Sequence, residues 1–242
     1  MTQEHRPVVA FVPPSCCGIG YFRPLRRALG DRIEFRPVEL PGHGRRFEEP
    51  CLVTADDAVR DVAGQLGGPV DALYGESLGA YVALAVAATL GQPRPPLLFA
   101  VSNSPPSVRE DMDPTEVTSI ESAVAVLTGM GGEIPAEVVT DPVLAAGAFP
   151  LIRDDLLLSG SFIAGYRDTR SPGDIRVIAG LDDTASSDLT AWSRHTEADC
   201  SVLRLPGGHL ISAANPSGVA QAVLDAFSNR TTEASPSYED ER

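Results

Sequence analysis

Val70-Asp71-Ala72-Leu73-Tyr74-Gly75-Glu76-Ser77-Leu78-Gly79-Ala80 is the stretch that decides the fold. A short apolar run leads into a G-x-S-x-G pentapeptide, and Leu78 to Leu90 is then apolar almost all round. This is the pattern of a strand that turns sharply into a helix, with Ser77 at the apex. Side chains at Gly75 and Gly79 would collide with the adjoining strand and helix, so both positions call for glycine. A helix apolar on every side must lie against a sheet and be covered by its neighbours. In a chain with 22 glycines a pentapeptide also arises by chance, so the reading needs a base, an orienting acid and an oxyanion site elsewhere.

Working outward, Val8 to Val12 reads as a strand buried on both faces and ended by Pro13-Pro14. Tyr21 to Leu29 reads as a helix stopped by Gly30, and Ile33 to Leu40 as a second strand ended by Pro41-Gly42. Thr54 is placed to cap a helix through Leu66, and Val70 to Tyr74 is the strand before Ser77. Leu97 to Val101, Ile175 to Gly180 and Ser201 to Leu205 follow as further strands, with a helix expected over Ser187 to Thr196 and a last one from Pro216 to Phe227. The alternation of strand and helix predicts a mostly parallel sheet flanked by helices, an α/β fold.

The alternation breaks between Asn103 and Ser171. That segment carries helical signals at Ser119 to Leu127 and Pro142 to Tyr166, interrupted by Gly129 to Gly132 and Pro135. An insertion after a strand's C-terminal end sits over the ligand crevice, so residues 105–170 are expected to form a helical lid. One domain is expected over residues 1–228, and the polar stretch 229–242 is expected to be a disordered tail.

Composition narrows the function classes. At 242 residues and 43% hydrophobic content the chain can bury one large core. A net charge of -14 leaves no basic stripe for nucleic acid and no attraction to an anionic membrane surface. All 19 basic residues are arginine, which excludes a lysine nucleophile. No apolar run reaches the roughly 18–20 residues of a membrane span and Met1 to Pro7 lacks a signal-peptide core, so a cytoplasmic protein is expected. Cys16, Cys17, Cys51 and Cys200 fit neither a disulfide framework nor a metal site, and reduced thiols, no metal and no cofactor are expected.

Four histidines compete for the role of base. His5 lies in the polar N-terminus, His195 reads as a solvated residue of a polar helix, and His43 in its Gly-rich loop has no neighbour that would orient its ring. His209 follows the last strand and two glycines, at the sheet edge from which a base reaches Ser77. The acidic pair Asp182-Asp183 follows the preceding strand, and one of the two supplies the carboxylate that sets the imidazole tautomer. Serine, acid, histidine is the chain order of α/β-hydrolases.

With these pieces assembled, the chain from Val8 to Phe227 resembles the type II thioesterases that accompany polyketide synthases and nonribosomal peptide synthetases. The resemblance is carried by Tyr21-Phe22-Arg23-Pro24-Leu25, by Leu40-Pro41-Gly42-His43-Gly44-Arg45-Arg46-Phe47, by the pentapeptide, by Asp182-Asp183 with Trp192, and by Pro206-Gly207-Gly208-His209. It implies the α/β-hydrolase fold with a helical lid, Asp183 rather than Asp182 as the triad acid, and oxyanion donors at the backbone N–H groups of Leu78 and Ser15. It further implies hydrolysis of acyl or aminoacyl thioesters from the phosphopantetheine arm of a carrier protein. Carrier proteins are commonly acidic, so Arg23, Arg26 and Arg27 on one helix, with Arg45 and Arg46 in the next loop, form the candidate contact patch.

The chain departs from the family pattern at three places. Pro13-Pro14-Ser15-Cys16-Cys17 stands where the family has Pro-His-Ala-Gly-Gly, and β-carbons at Cys16 and Cys17 restrict the oxyanion loop. Glu76 stands where histidine is usual and is expected to be exposed and neutral in effect. Leu210-Ile211-Ser212 replaces aromatic residues after His209. These departures keep two other readings open: an esterase, product-release enzyme or cyclase of the same descent, and a catalytically weak binding partner in a biosynthetic assembly.

Overall fold

The computed structural model describes residues 6–113 and 117–233. Six parallel strands, β1 (Val8–Val12), β2 (Glu34–Pro37), β3 (Ala72–Glu76), β4 (Leu97–Val101), β5 (Ile175–Gly180) and β6 (Cys200–Leu205), form one sheet in the order β2-β1-β3-β4-β5-β6. The chain runs outward from β1 to β2, then returns past β1 to build β3 to β6. This reversal puts the ends of β1 and β3 side by side, and the crevice beyond such a switch point is where open α/β sheets bind ligands.

Side-chain alternation assigns each strand to two cores. Ala10, Val12, Leu73, Leu98, Ala100 and Val177 point to one face, covered by α2 (Ala55–Gln65) and α3 (Leu78–Thr89). Val9, Phe11, Ala72, Tyr74, Phe99 and Ile178 point to the other, covered by α1 (Arg23–Leu29) and α8 (Pro216–Glu233). Residues Leu78 to Ala87 of α3 are all buried, which accounts for its apolar surface all round. Thr54 caps α2 by accepting a hydrogen bond from the Asp57 N–H at 3.4 Å.

The insertion holds α4 (Ile120–Gly129), α5 (Ala136–Thr140) and α6 (Pro142–Gly165). Val117, Ala123, Leu127, Ile152 and Leu156 make a small separate core. Farther along α6, Leu158, Phe162 and Ile163 join the main core beside α3. One helix therefore belongs to the small core of the insertion at one end and to the main core at the other.

Several boundaries differ from the sequence reading. A 3-10 turn, Ile19–Phe22, precedes α1, and β2 is shorter than expected because Val38 and Leu40 turn into the core as loop residues. The segment expected as a helix at 187–196 is a 3-10 helix, Leu189–His195. A short helix α7 (Ile211–Ala214) follows His209, and α8 continues to Glu233 through the start of the expected tail. The expected disorder of 234–242 and the placement of His5 lie outside the described residues. Among the described residues, no helix is long and apolar enough to cross a membrane.

Candidate active site

Ser77 sits between β3 and α3 with φ 54° and ψ −120°, a conformation that costs a non-glycine residue about 1–3 kcal/mol. Its surroundings hold it there. The Ser77 N–H donates to the Val101 carbonyl at 2.9 Å, and its carbonyl accepts from the Asn103 side chain at 2.8 Å. A β-carbon at Gly75 would strike the Gly79 carbonyl, and one at Gly79 would strike the Val12 carbonyl at the end of β1. The two glycines thus let the elbow close against the neighbouring strand, as the pentapeptide requires.

His209 and Asp183 arrive on the loops after β6 and β5. Asp183 accepts at Oδ2 from His209 Nδ1–H at 3.1 Å, which leaves Nε2 to accept from the Ser77 hydroxyl at 3.0 Å. The other carboxylate oxygen accepts from the Ala185 and Ser186 N–H groups at 3.0 and 3.2 Å. Burial opposes ionisation of Asp183, but the His209 and Ser186 hydrogen bonds, the imidazole charge and the Ala185 N–H outweigh it and hold the carboxyl at about 2. Asp182 is exposed, and its N–H donates to the Gly207 carbonyl at 3.0 Å as part of the turn.

The Leu78 N–H opens α3, and the Ser15 N–H lies on the loop after β1. Neither has an acceptor among the described residues. Pro14 to Cys17 form a turn closed by the Cys17 N–H to the Pro14 carbonyl at 3.2 Å, with Cys16 in its third position at φ 62°. Type II turns put glycine there because the left-handed conformation burdens any β-carbon. Burial and the nearby Asp155 carboxylate raise the Cys16 thiol well above its ordinary range. Cys17 is pushed up to about 11 by burial and by Glu76 and Asp155, so neither cysteine is a reactive thiolate.

Glu76 corrects the expectation of an exposed side chain. Alternation along β3 turns it to the same face as Tyr74, where it is fully buried. Its Oε1 accepts from the Tyr21 hydroxyl at 3.1 Å and the Ser212 N–H at 3.2 Å, while Oε2 has no partner among the described residues. Burial raises its pKa to about 7 against the opposing pull of the Ser212 and Tyr21 hydrogen bonds and the His209 charge.

Two other histidine readings are also overturned. His195 is buried, with one ring nitrogen 2.8 Å from the Thr169 carbonyl and the other 2.9 Å from the Ser107 hydroxyl. His43 does have orienting partners: the Pro41 carbonyl at 2.9 Å and the Asp155 carboxylate at 3.0 Å. Asp155 lies 112 positions away, on α6, so no local pattern reveals the pairing. Asn103 was also missed. It accepts from Tyr81, takes the Trp192 indole N–H on its carbonyl, and donates to Ser77. Its position as an early polar residue after an apolar strand, at the sheet's C-terminal edge, was the available signal.

Of the arginines, Arg23, Arg26, Arg27 and Arg45 are exposed. Arg46 is committed within the chain, to Asp61 at 2.8 Å and Glu49 at 2.6 Å. Among the described residues no cluster of side chains suited to a metal ion is found.

A parallel sheet with helices on both faces, an elbow serine and a hydrogen-bonded histidine and aspartate on the following loops define an α/β-hydrolase. The thioesterase domain model matches residues 7–227, and the chain belongs to that family of enzymes, which hydrolyse thioesters. ClbQ, from the colibactin NRPS/PKS pathway, superposes with a TM-score of 0.80 at 22% identity, over 94% of this chain and 99% of ClbQ. BorB, the type II thioesterase of the borrelidin cluster, has a TM-score of 0.74 at 22% identity, over 92% and 93%. Linear gramicidin dehydrogenase LgrE of Brevibacillus parabrevis is 25% identical over 205 residues, 78% of this chain and 76% of LgrE.

Proposed function

We propose that the chain is a type II thioesterase that removes acyl or aminoacyl groups from carrier-protein phosphopantetheine arms, with Ser77, His209 and Asp183 as its triad. The observation that carries this reading is the unbroken hydrogen-bonded chain from Ser77 Oγ through His209 to Asp183. Ser77 Oγ attacks the thioester carbonyl carbon as His209 Nε2 takes its proton. The oxyanion accepts from the Leu78 and Ser15 N–H groups. The carbon–sulfur bond then breaks, and the thiol leaves with the proton held on His209; at an intrinsic pKa of about 8.5 it needs little help. Water, deprotonated by the same nitrogen, attacks the acyl-enzyme, and the acid departs as Ser77 regains its proton.

Arg23, Arg26, Arg27 and Arg45 are the proposed contacts for an acidic carrier protein. Arg46 is left out because Glu49 and Asp61 already occupy its guanidinium.

The test is incubation with a panel of acyl-carrier proteins and a simple ester, with intact-mass detection of acylated protein and of the released product, beside Ser77→Ala. The expected result is an acyl adduct on the unmodified chain, free acid as product, and a loss of at least about a thousandfold in Ser77→Ala. Turnover that survives Ser77→Ala overturns the triad. Acylation by the ester alone favours the esterase or release-enzyme reading.

A further inference from the structure

The Asp155 carboxylate is buried at the point where the lid joins the body: Ile152 and Leu156 on either side belong to the lid core, and Leu158 to the main core. Its Oδ2 accepts the Cys16 N–H at 2.6 Å and faces His43 Nε2 at 3.0 Å. The other His43 nitrogen faces the Pro41 carbonyl, which can only accept, so that nitrogen carries a proton. The pair thus shares a proton between Nε2 and Oδ2, and either placement ties the ring to the carboxyl. Burial alone would lower the His43 pKa, yet the Asp155 hydrogen bond and charge raise it on balance.

Three segments therefore meet at one carboxylate: the loop after β1, the loop after β2, and α6 of the insertion. The segment it grips is the turn from Pro14 to Cys17, where Cys16 is held at φ 62°. A cysteine relaxes out of that conformation unless something opposes it. The Cys16 N–H is also taken by Asp155, so it is not available to substrate, while the neighbouring Ser15 N–H stays free.

We infer that Asp155 is a positioning residue for the oxyanion site: through the Cys16 N–H, braced by His43, the lid helix holds the strained turn that aims the Ser15 N–H. This rests on the proposed acyl-transfer reading, in which Ser15 is a donor. Half of the oxyanion site is then in place only while α6 is seated, and the chain keeps by a long-range bond what a glycine would keep by itself. Asp155 touches no reacting atom and acts only through the turn.

The pair Asp155→Ala and Cys16→Gly/Asp155→Ala tests this. Each is assayed on a p-nitrophenyl ester and an acyl thioester of N-acetylcysteamine, with inhibition by an alkyl boronic acid, whose tetrahedral adduct on Ser77 mimics the oxyanion. Loss of one oxyanion donor costs about 10²–10³ in kcat at most, so Asp155→Ala is expected to lower kcat about 10- to 100-fold. KM is expected to stay within about twofold and the boronate Ki to rise by the same factor as kcat falls. Cys16→Gly, which adopts φ 62° without strain, is expected to restore at least about fivefold of that loss in the double variant. A loss carried by KM, an unchanged boronate Ki, or a double variant no better than Asp155→Ala overturns the inference. Should Asp155→Ala fail to fold by circular dichroism, Asp155→Asn and Cys16→Gly/Asp155→Asn are read by the same criteria. Activity on the ester alone would sink the thioesterase reading and leave this comparison intact; Ser77→Ala, run alongside, decides the nucleophile separately.

Discussion

Replacing Glu76 by glutamine tests the electrostatics of the buried elbow through stability alone. The carboxyl titrates at about 7 in the folded chain and at the ordinary 4.5 when unfolded. Below pH 4.5 it is protonated in both states and costs nothing. Between 4.5 and 7 the unfolded chain releases the proton while the folded chain retains it, so stability falls as pH rises. Above 7 both states are ionised and the full cost remains, on the order of 3 kcal/mol. Between pH 5.5 and 8.5 the expected change is about 2 kcal/mol. Glutamine keeps an acceptor for the Tyr21 hydroxyl and the Ser212 N–H but does not titrate. Any fixed difference in hydrogen bonding cancels, because only the change with pH is read. Urea unfolding of both proteins at several pH values is the assay. The stability of Glu76→Gln minus that of the unmodified chain should grow by about 2 kcal/mol from pH 5.5 to 8.5. A difference constant to within about 0.5 kcal/mol across that range would refute a Glu76 carboxyl whose burial outweighs its two hydrogen bonds.

Other perturbations read the site directly. Asp183→Asn removes the carboxylate that sets the His209 tautomer and is expected to lower kcat about 10³- to 10⁴-fold with little change in KM, measured by ester turnover. Gly131 has φ 95° and lies against the His209 ring, where a β-carbon would overlap Nδ1. Gly131→Ala is therefore expected to cut kcat about 10- to 100-fold while circular dichroism stays native, and an unchanged kcat would mean that the lid loop yields instead. Reversing Arg26 and Arg27 to Glu is expected to raise KM for carrier-bound acyl groups about tenfold and leave the free small thioester within twofold; equal losses on both substrates would remove the patch.

The insertion supplies partners to residues that depart from the family pattern. Taken alone, Cys16 is a β-carbon in a turn that favours glycine. In the folded chain its thiol packs against the small core of the insertion and its N–H is held by the Asp155 carboxylate of α6. Ser212 acts in a similar way at the other side of the site, where its N–H supports Glu76 and its hydroxyl meets Tyr74 at 2.6 Å. Ser212, in the stretch after His209 where the family commonly has aromatic residues, thus supplies a polar partner to the buried acid.

Local signals were enough for the frame. Apolar runs and glycine stops located six strands, with β1, β4 and β5 matching residue for residue; β1 and β4 are apolar throughout because both faces are covered, and Gly180 marks the end of β5. The crowding at the pentapeptide and the order of serine, acid and histidine are likewise properties of short segments and of their succession in a parallel sheet. What only the tertiary structure decided is which side chains lost their water and which distant groups replaced it. Glu76 and His195 looked solvated because their neighbours in sequence are unremarkable, yet both are buried by segments far along the chain. Resemblance alone separates Asp183 from Asp182 in the sequence, whereas in the folded chain its burial and the His209 ring distinguish it physically. Asp155 reaches Cys16 across 139 positions, a pairing set by how α6 meets the loops that follow β1 and β2. Periodicity reports the face a residue takes within its own element, whereas burial and long-range hydrogen bonding depend on which elements are brought against that face.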